Sequence, residues 1–400
     1  MKILFVCHRL PYPPARGGKI RPFNIIRHLS ERHEVTVASL ARSQEEADEG
    51  RGLGNYCHKF LVEVISPPWD TLRMVTHLAS KKPSSMGYFY SPALARRIRA
   101  ELAANYFDFI LVHCSSVAQY VEDVPTIPKM IDFGDMDSQK WLIYSKVKKF
   151  PLSMGYLIEG LKLQAQEKIL AGKFDYCTCT TAAEHQTLVD FGVDTPNDWF
   201  PNGVDLNKFS PSDEPYAPDM ISFIGRMDYF PNQVAMLDFC AHILPLVRAE
   251  RPGAKLLIIG ANPSSAIRKL GELEGVTVTG TVPDVQPLVL KSAVNIAPLS
   301  IARGTQNKIL EAMAMGVPVV SSEEASHGID AESERDFLVA DSPENYAKQI
   351  LRLMNDPAER RRFSETGRRR VETHHSWTAS MKRFDGIIED CLARQKFRAA

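Results

Sequence analysis

The sequence has no apolar run long enough to cross a bilayer. Its opening, Met1-Lys-Ile-Leu-Phe-Val-Cys7, is too short an apolar run for a secretory signal and is cut off by His8, Arg9 and Pro11. Charge of either sign is not in excess: 48 Lys and Arg stand against 48 Asp and Glu, a formal net charge of zero. That balance gives no bulk attraction to nucleic acid, and no nucleic-acid partner is expected. A cysteine framework is also missing. Seven cysteines, an odd number, lie without metal-type or disulfide-type spacing. Cys177-Thr-Cys179 alternates along an expected strand and reads as two reduced thiols near a core, which suits a reducing compartment. No Gly-x-Gly-x-x-Gly fingerprint follows the first strand, so no dinucleotide cofactor is supported. These absences set the expectation of a cytoplasmic protein.

What is present is alternation. In the first half, strand-like runs at residues 3–7, 34–40, 60–65, 107–113, 129–133 and 174–180 alternate with helical patterns, notably 19–32, 91–105 and 156–172. That order predicts an α/β domain, a parallel sheet with helices on both faces. Ligands of such sheets bind beyond the carboxyl ends of the strands, so the loops after Cys7, Val112 and Phe133 form the working edge. Gly17-Gly18, between the first strand and its helix, would let backbone approach a ligand closely. His113 ends one strand, where it serves either as a core histidine or as a site residue. Asp135-Met-Asp137 ends the next. Its two carboxylates could hold a divalent cation, or Asp137 or Ser138 could cap the following helix.

A Pro-, Asp- and Ser-rich stretch at residues 210–219 then interrupts the pattern, which restarts with runs at 220–224, 255–259, 276–279 and 294–298. The expected organisation is a domain over residues 1–205, a linker over 206–219, a second domain over 220–375 and a C-terminal helix over 376–400. With 44% apolar residues in 400, both domains can bury a core. Arg226, at the end of the first strand of the second domain, is a phosphate candidate because a guanidinium can hold two oxygens at once.

The most informative stretch is Arg303-Gly-Thr-Gln-Asn-Lys-Ile-Leu-Glu-Ala-Met-Ala-Met-Gly-Val-Pro-Val-Val320. It reads as a polar loop, a helix from Gln306 or Asn307, a stop at Gly316 and a buried strand. A helix start offers unpaired N–H groups and partial positive charge to an anion. Lys308 adds a cation where acidic residues are usual, and Glu311 follows one turn later.

The run from Lys308 to Val320 resembles the donor-site signature of glycosyltransferase family 4. The resemblance extends to Pro201-Asn-Gly-Val-Asp205, to Gly225-Arg226 and to Gly280-Thr-Val-Pro-Asp284. It implies the GT-B architecture: two Rossmann-like, doubly wound domains facing each other across a cleft that closes on the reactants. It implies a retaining transferase that moves a sugar from a nucleotide-sugar to a hydroxyl of a glycan or lipid-linked acceptor, without a metal. By the same resemblance Glu311 meets the ribose, and Gly17, Gly18, Arg303, Gly304, Thr305, Gln306, Asn307 and Lys308 surround the donor. The Val282 backbone meets the base, Arg226 and Lys308 answer the leaving diphosphate, His113 meets the sugar or acceptor, and Asp135 and Asp137 take an acceptor role. Two positions depart from the family pattern. Arg303 stands where a first Glu is usual, and Pro231 where a Lys usually partners Arg226. The run Cys7-His-Arg-Leu-Pro-Tyr-Pro-Pro14 and residues 132–141 are similar to the exosortase/PEP-CTERM-associated transferases of exopolysaccharide synthesis. An epimerase of the same fold, or a non-catalytic nucleotide-binding subunit, are the alternatives. Basic and apolar residues around Lys146, Lys148, Lys149 and Phe150, with Lys81 and Lys82, suit an anionic membrane surface, which would place the protein peripherally at the inner face of a membrane.

Overall fold

The computed structural model describes every residue except Ala15, Arg16, Ser66, Ala79 and Ala400, and describes no side chain for Pro67, Pro68, Asp70 or residues 395–399. The chain divides into two compact units, residues 1–200 with 381–400, and residues 201–380.

The first unit holds seven parallel strands: β1 (Lys2–Cys7), β2 (Glu34–Ala41), β3 (Lys59–Val64), β4 (Phe109–His113), β5 (Lys129–Gly134), β6 (Tyr176–Cys179) and β7 (Asn197–Trp199). Their order is β3-β2-β1-β4-β5-β6-β7. The central strands are rich in apolar residues because helices cover both faces; β4 and β5 are buried at every residue, Asp132 included. The second unit repeats the winding with β8 (Ala217–Ile224), β9 (Lys255–Ile259), β10 (Val276–Val278), β11 (Ser292–Ala297), β12 (Val319–Ser322) and β13 (Leu338–Ala340), ordered β10-β9-β8-β11-β12-β13. In each sheet the order reverses beside the first strand, between β1 and β4 and between β8 and β11. Doubly wound sheets bind ligands at that reversal.

Two strands are too short for their pattern to show in the sequence. β7 reads Asn-Asp-Trp and pairs only with β6, and β13 has three residues at the sheet edge. The helical run from Phe230 to Glu250 is interrupted by a π segment, Phe239–Ile243, just ahead of Pro245. Proline offers no N–H to the preceding turn, and the helix absorbs the loss as a register slip.

The C-terminal residues from Met381 belong to the first unit. Phe384 lies against Phe200 with ring centroids 4.6 Å apart. Asp385 accepts from His28 at 2.7 Å, and Arg383 donates to Asp198 at 2.9 Å. Within the second unit, the Pro-Asn-Gly-Val-Asp run is fixed by Trp377. A side chain at Gly203 would meet the Trp377 ring at 2.6 Å, and Val204 bridges to Ser376. The glycine there is a requirement of close packing.

Candidate functional site

In the second unit the helix Asn307–Ala314 starts after Gln306, and no side chain caps its first amides. An uncapped start leaves donors for a ligand. Gly304 enters this turn with φ 61°, a conformation that favours glycine. Its carbonyl lies so close to Gly328 that a Cβ on the latter would come within 2.0 Å of the oxygen. Arg303 turns its carbonyl to the Gln306 side-chain amide, 3.1 Å away. Thr305 Oγ1 and Asn307 Oδ1 are buried without a hydrogen-bond partner. Buried polar atoms are rarely left so unless something else meets them.

Lys308 is half-buried. Its Nζ lies 4.6 Å from the Phe223 ring centroid and donates to Asn232 Oδ1 at 2.6 Å. Asn232 Nδ2 in turn donates to the Arg226 carbonyl at 2.8 Å. Asn232 thus ties the β8 loop to the helix start, a role not readable from Pro231 as the missing family cation. Burial lowers the Lys308 ammonium to about 7. Burial likewise raises the Glu311 carboxyl to about 7, against the pull of Lys208 and Lys308. Arg226 is more exposed, and Asp228 holds it through two hydrogen bonds, one of 3.0 Å from Nε. A phosphate there would have to compete with that carboxylate. Val282 packs against the second unit's core, in the loop that follows Gly280 at φ 70°.

In the first unit the strand ends carry a denser set of charges. Asp132 on β5 is fully buried. Arg21 grips it through Nε and Nη2 at 2.8 and 3.0 Å, Thr178 donates at 3.0 Å, and His113 Nδ1 lies 2.8 Å away. Burial works against the charge, yet Arg21 and His113 hold the Asp132 carboxyl well below its ordinary range. An ionised Asp132 only accepts, so His113 carries its proton on Nδ1 and, when neutral, keeps a lone pair on Nε2. The His8 ring sits 6.0 Å from that of His113. Its Nδ1 has no partner, and burial, with Arg9 beside it, keeps it neutral well below its usual range. Cys114 follows β4 with φ 85°, a strained value for a residue with a side chain.

Asp135 and Asp137 stand beside this group. Thr180 Oγ1 donates to Asp135 at 2.6 Å; the residue keeps an exposed surface, and the crowding protein and the Asp137 charge raise its carboxyl. Asp137 accepts from Lys140 at 2.6 Å and from the Cys114 thiol at 3.7 Å. It opens the helix Asp137–Val147, but neither it nor Ser138 caps that helix. Glu184 takes the Met136 amide at 2.8 Å and Glu167 the Ser138 amide at 3.0 Å. Gly17 and Gly18 form the first turn of the helix Gly17–Ser30 rather than a loop before it, and neither has a positive φ. Next to them a cavity of about 310 Å³ is lined by Lys19, Arg42, Glu45 and Glu46 among others.

The sequence reading missed Arg21, Asp132 and His8. Asp132 had a signal: a carboxylate inside the apolar run Met130-Ile-Asp-Phe133 needs a buried cation. His8 and Arg9 follow β1 at the winding reversal, and Arg9 Nε is also without a partner.

Residues 218–356 match the family model described as glycosyl transferases group 1. Among curated proteins, the chain is 27% identical over 243 residues to an MMP alpha-(1->4)-mannosyltransferase of Mycolicibacterium hassiacum, covering 58% of each. It spans about half the length of the first curated relatives it matches. Among solved structures, a sucrose-phosphate synthase from Thermosynechococcus elongatus superposes with TM-score 0.73 at 16% identity, covering all of both chains. Anabaena Alr3699/HepE in complex with UDP gives 0.69 at 13% identity, covering 98% of this chain and all of that one. The fold is therefore GT-B, and residues 218–356 form a group 1 glycosyltransferase domain.

Proposed function

We propose that this chain, with its group 1 glycosyltransferase domain, is a retaining transferase of family 4 type. It would carry a sugar from a nucleotide-sugar to a hydroxyl of a glycan or lipid-linked acceptor, in exopolysaccharide synthesis at the inner face of a membrane. The observation that carries the reading is the start of the helix Asn307–Ala314: uncapped amides, two unpartnered buried oxygens and Lys308, inside the matched domain. A diphosphate would accept from the amides, from Lys308 and from the Thr305 hydroxyl, while Asn307 Oδ1 suits a hydroxyl donor on the sugar or ribose. Glu311, one turn on, has the acceptor oxygens for a ribose diol. As the nucleoside diphosphate leaves, charge grows on its outer oxygens. Helix amides and Lys308 would stabilise that charge, with Arg226 contributing if Asp228 releases it. In the first unit, His113 Nε2, oriented by Asp132, suits a sugar or acceptor hydroxyl, and Asp135 and Asp137 suit others. The reading assigns no metal. Support for the donor class comes from HepE, seen with UDP and with UDP-glucose, and from the mannosyltransferase relatives.

Calorimetric titration with UDP, GDP, ADP and TDP tests this. One base should bind selectively, and Lys308→Ala and Glu311→Ala should each weaken it about ten- to a hundredfold. Full affinity in both folded variants would remove the site. Turnover that yields an isomer of the donor without any acceptor would replace the transferase by an epimerase.

A further inference from the structure

The helix Leu152–Lys173 has two apolar faces. Gly160, Leu163, Leu170 and Ala171 are buried against the first unit. Met154, Leu157, Ile158 and Leu161 follow the spacing i, i+3, i+4, i+7 and point to water, Leu161 at 51% exposure. A surface helix normally gives its apolar stripe to the core and its other side to polar residues. Here a second stripe is left over. Phe150 and Leu152, just ahead of it, are 80% and 61% exposed. The helix Pro67–Leu78 adds Trp69, Leu72, Val75 and Leu78, all exposed. The two helices adjoin: Lys162 Nζ donates to the His77 and Leu78 carbonyls, each at 3.0 Å. Glu159 accepts from the Ser84 and Ser85 amides at 2.8 and 2.9 Å.

Charge decides what covers this face. Residues 141–158 contain Lys146, Lys148 and Lys149 and no acid; residues 71–87 contain Arg73, Lys81 and Lys82 and no acid. In a chain with equal numbers of acids and bases, that local excess is specific. Lys81, Lys82, Lys146 and Lys149 are exposed. Protein interfaces are depleted in lysine. A two-fold contact with a second copy would also set this one-signed face against itself.

We infer that this face of the first unit docks on an anionic lipid surface. Phe150, Leu157 and Leu161 would enter the boundary between headgroups and acyl chains while the lysines meet lipid phosphates. Among the described residues no helix is long and apolar enough to span the bilayer, so the contact lies on the membrane. It stands on surface geometry alone, apart from the donor-site reading.

Flotation of the full chain with phosphatidylcholine vesicles, with and without phosphatidylglycerol, is the test. Binding should require the anionic lipid and fall with salt. Changing Lys146, Lys148 and Lys149 together to Glu should lower it on the order of a hundredfold. Leu157→Glu with Leu161→Glu should lower it at least about tenfold, and both variants should keep the wild-type melting temperature. Failure of the folded wild type to float with anionic vesicles overturns the inference. So does flotation that neither variant changes, or a dimer in sedimentation that Leu157→Glu dissolves. Nucleotide titration is read separately, so failure of the donor site is distinguishable from failure of the membrane contact, on which the inner-face placement rests.

Discussion

The two sheets are wound alike, yet their reversal points differ in how far their polar groups are already satisfied. At β4 and β5 the chain answers its own charges, although His8 Nδ1 and Arg9 Nε, just after β1, lack partners. Asp132 is met by Arg21, Thr178 and His113, and Asp137 by Lys140. At the helix after β11, Thr305 and Asn307 have unmet oxygens, and Lys308 holds only the Asn232 amide. A buried polar network that closes on itself fixes geometry before any ligand arrives. One left open bears the cost until a ligand with matching donors and acceptors relieves it. The same topology thus carries a largely self-satisfied charge network at β4 and β5 in one unit and a candidate site with unmet polar atoms in the other.

The largest effect expected from this difference is on stability. Arg21→Met strands the fully buried Asp132 carboxylate, and removal of one partner from such a pair costs about 3–5 kcal/mol. Lys308→Met removes a cation that burial already disfavours, so its cost should stay within about 1 kcal/mol. Urea unfolding of the two variants measures both. Equal losses would mean that the second site is as self-contained as the first.

This contrast marks what the sequence could reveal. Periodicity located all the longer strands, because β1, β4 and β9 are near-continuous apolar runs that few other structures can use. Gly316, at φ 69°, closes the helix where its residue type suggested. The Lys308 to Glu311 spacing places both side chains on one turn, so that half of the candidate site was legible. The first unit's network was not, because its partners are remote in sequence. Arg21 meets Asp132 across 111 positions, and Glu167 and Glu184 reach back to the loop ahead of residue 139. Local spacing carries no record of such pairings. Arg226 shows the converse: its position suggested a free cation, and Asp228, two residues on, had already engaged it.

A second and smaller effect concerns Glu167. Burial raises its carboxyl from the ordinary 4.5 to about 8. The folded chain then holds a proton that the unfolded chain releases. That contribution is fully present below pH 4.5 and is lost as pH rises to 8. Glu167→Gln has no such proton to lose. Its advantage over wild type should therefore grow across that window and level off above it. Melting curves from pH 5 to pH 9 give the answer. A variant that tracks wild type at every pH would show that Glu167 is solvated, and that the network around Ser138 is looser than its geometry.

The smallest effect is a proton count on nucleotide binding. Lys308 and Glu311 both titrate near 7, Lys308 lowered by burial and Glu311 raised by it. At pH 7 each carries its charge about half of the time. A diphosphate on Lys308 favours its protonated form, and a diol on Glu311 favours its ionised form, so one takes up what the other releases. Wild type should bind nucleotide with little net proton exchange. Glu311→Gln removes the release, and loss of the Glu311 charge lowers Lys308 further, so the variant should take up more than about half a proton; Lys308→Met removes the uptake and should release more than about half. Calorimetry in two buffers of different ionisation heat resolves that amount. With Glu311→Gln the affinity should also fall as pH rises above 7, since the free protein then loses the Lys308 charge that the diphosphate needs. Absence of uptake in that variant would mean that Lys308 is charged before the ligand arrives, and that the second unit, like the first, completes its electrostatics alone.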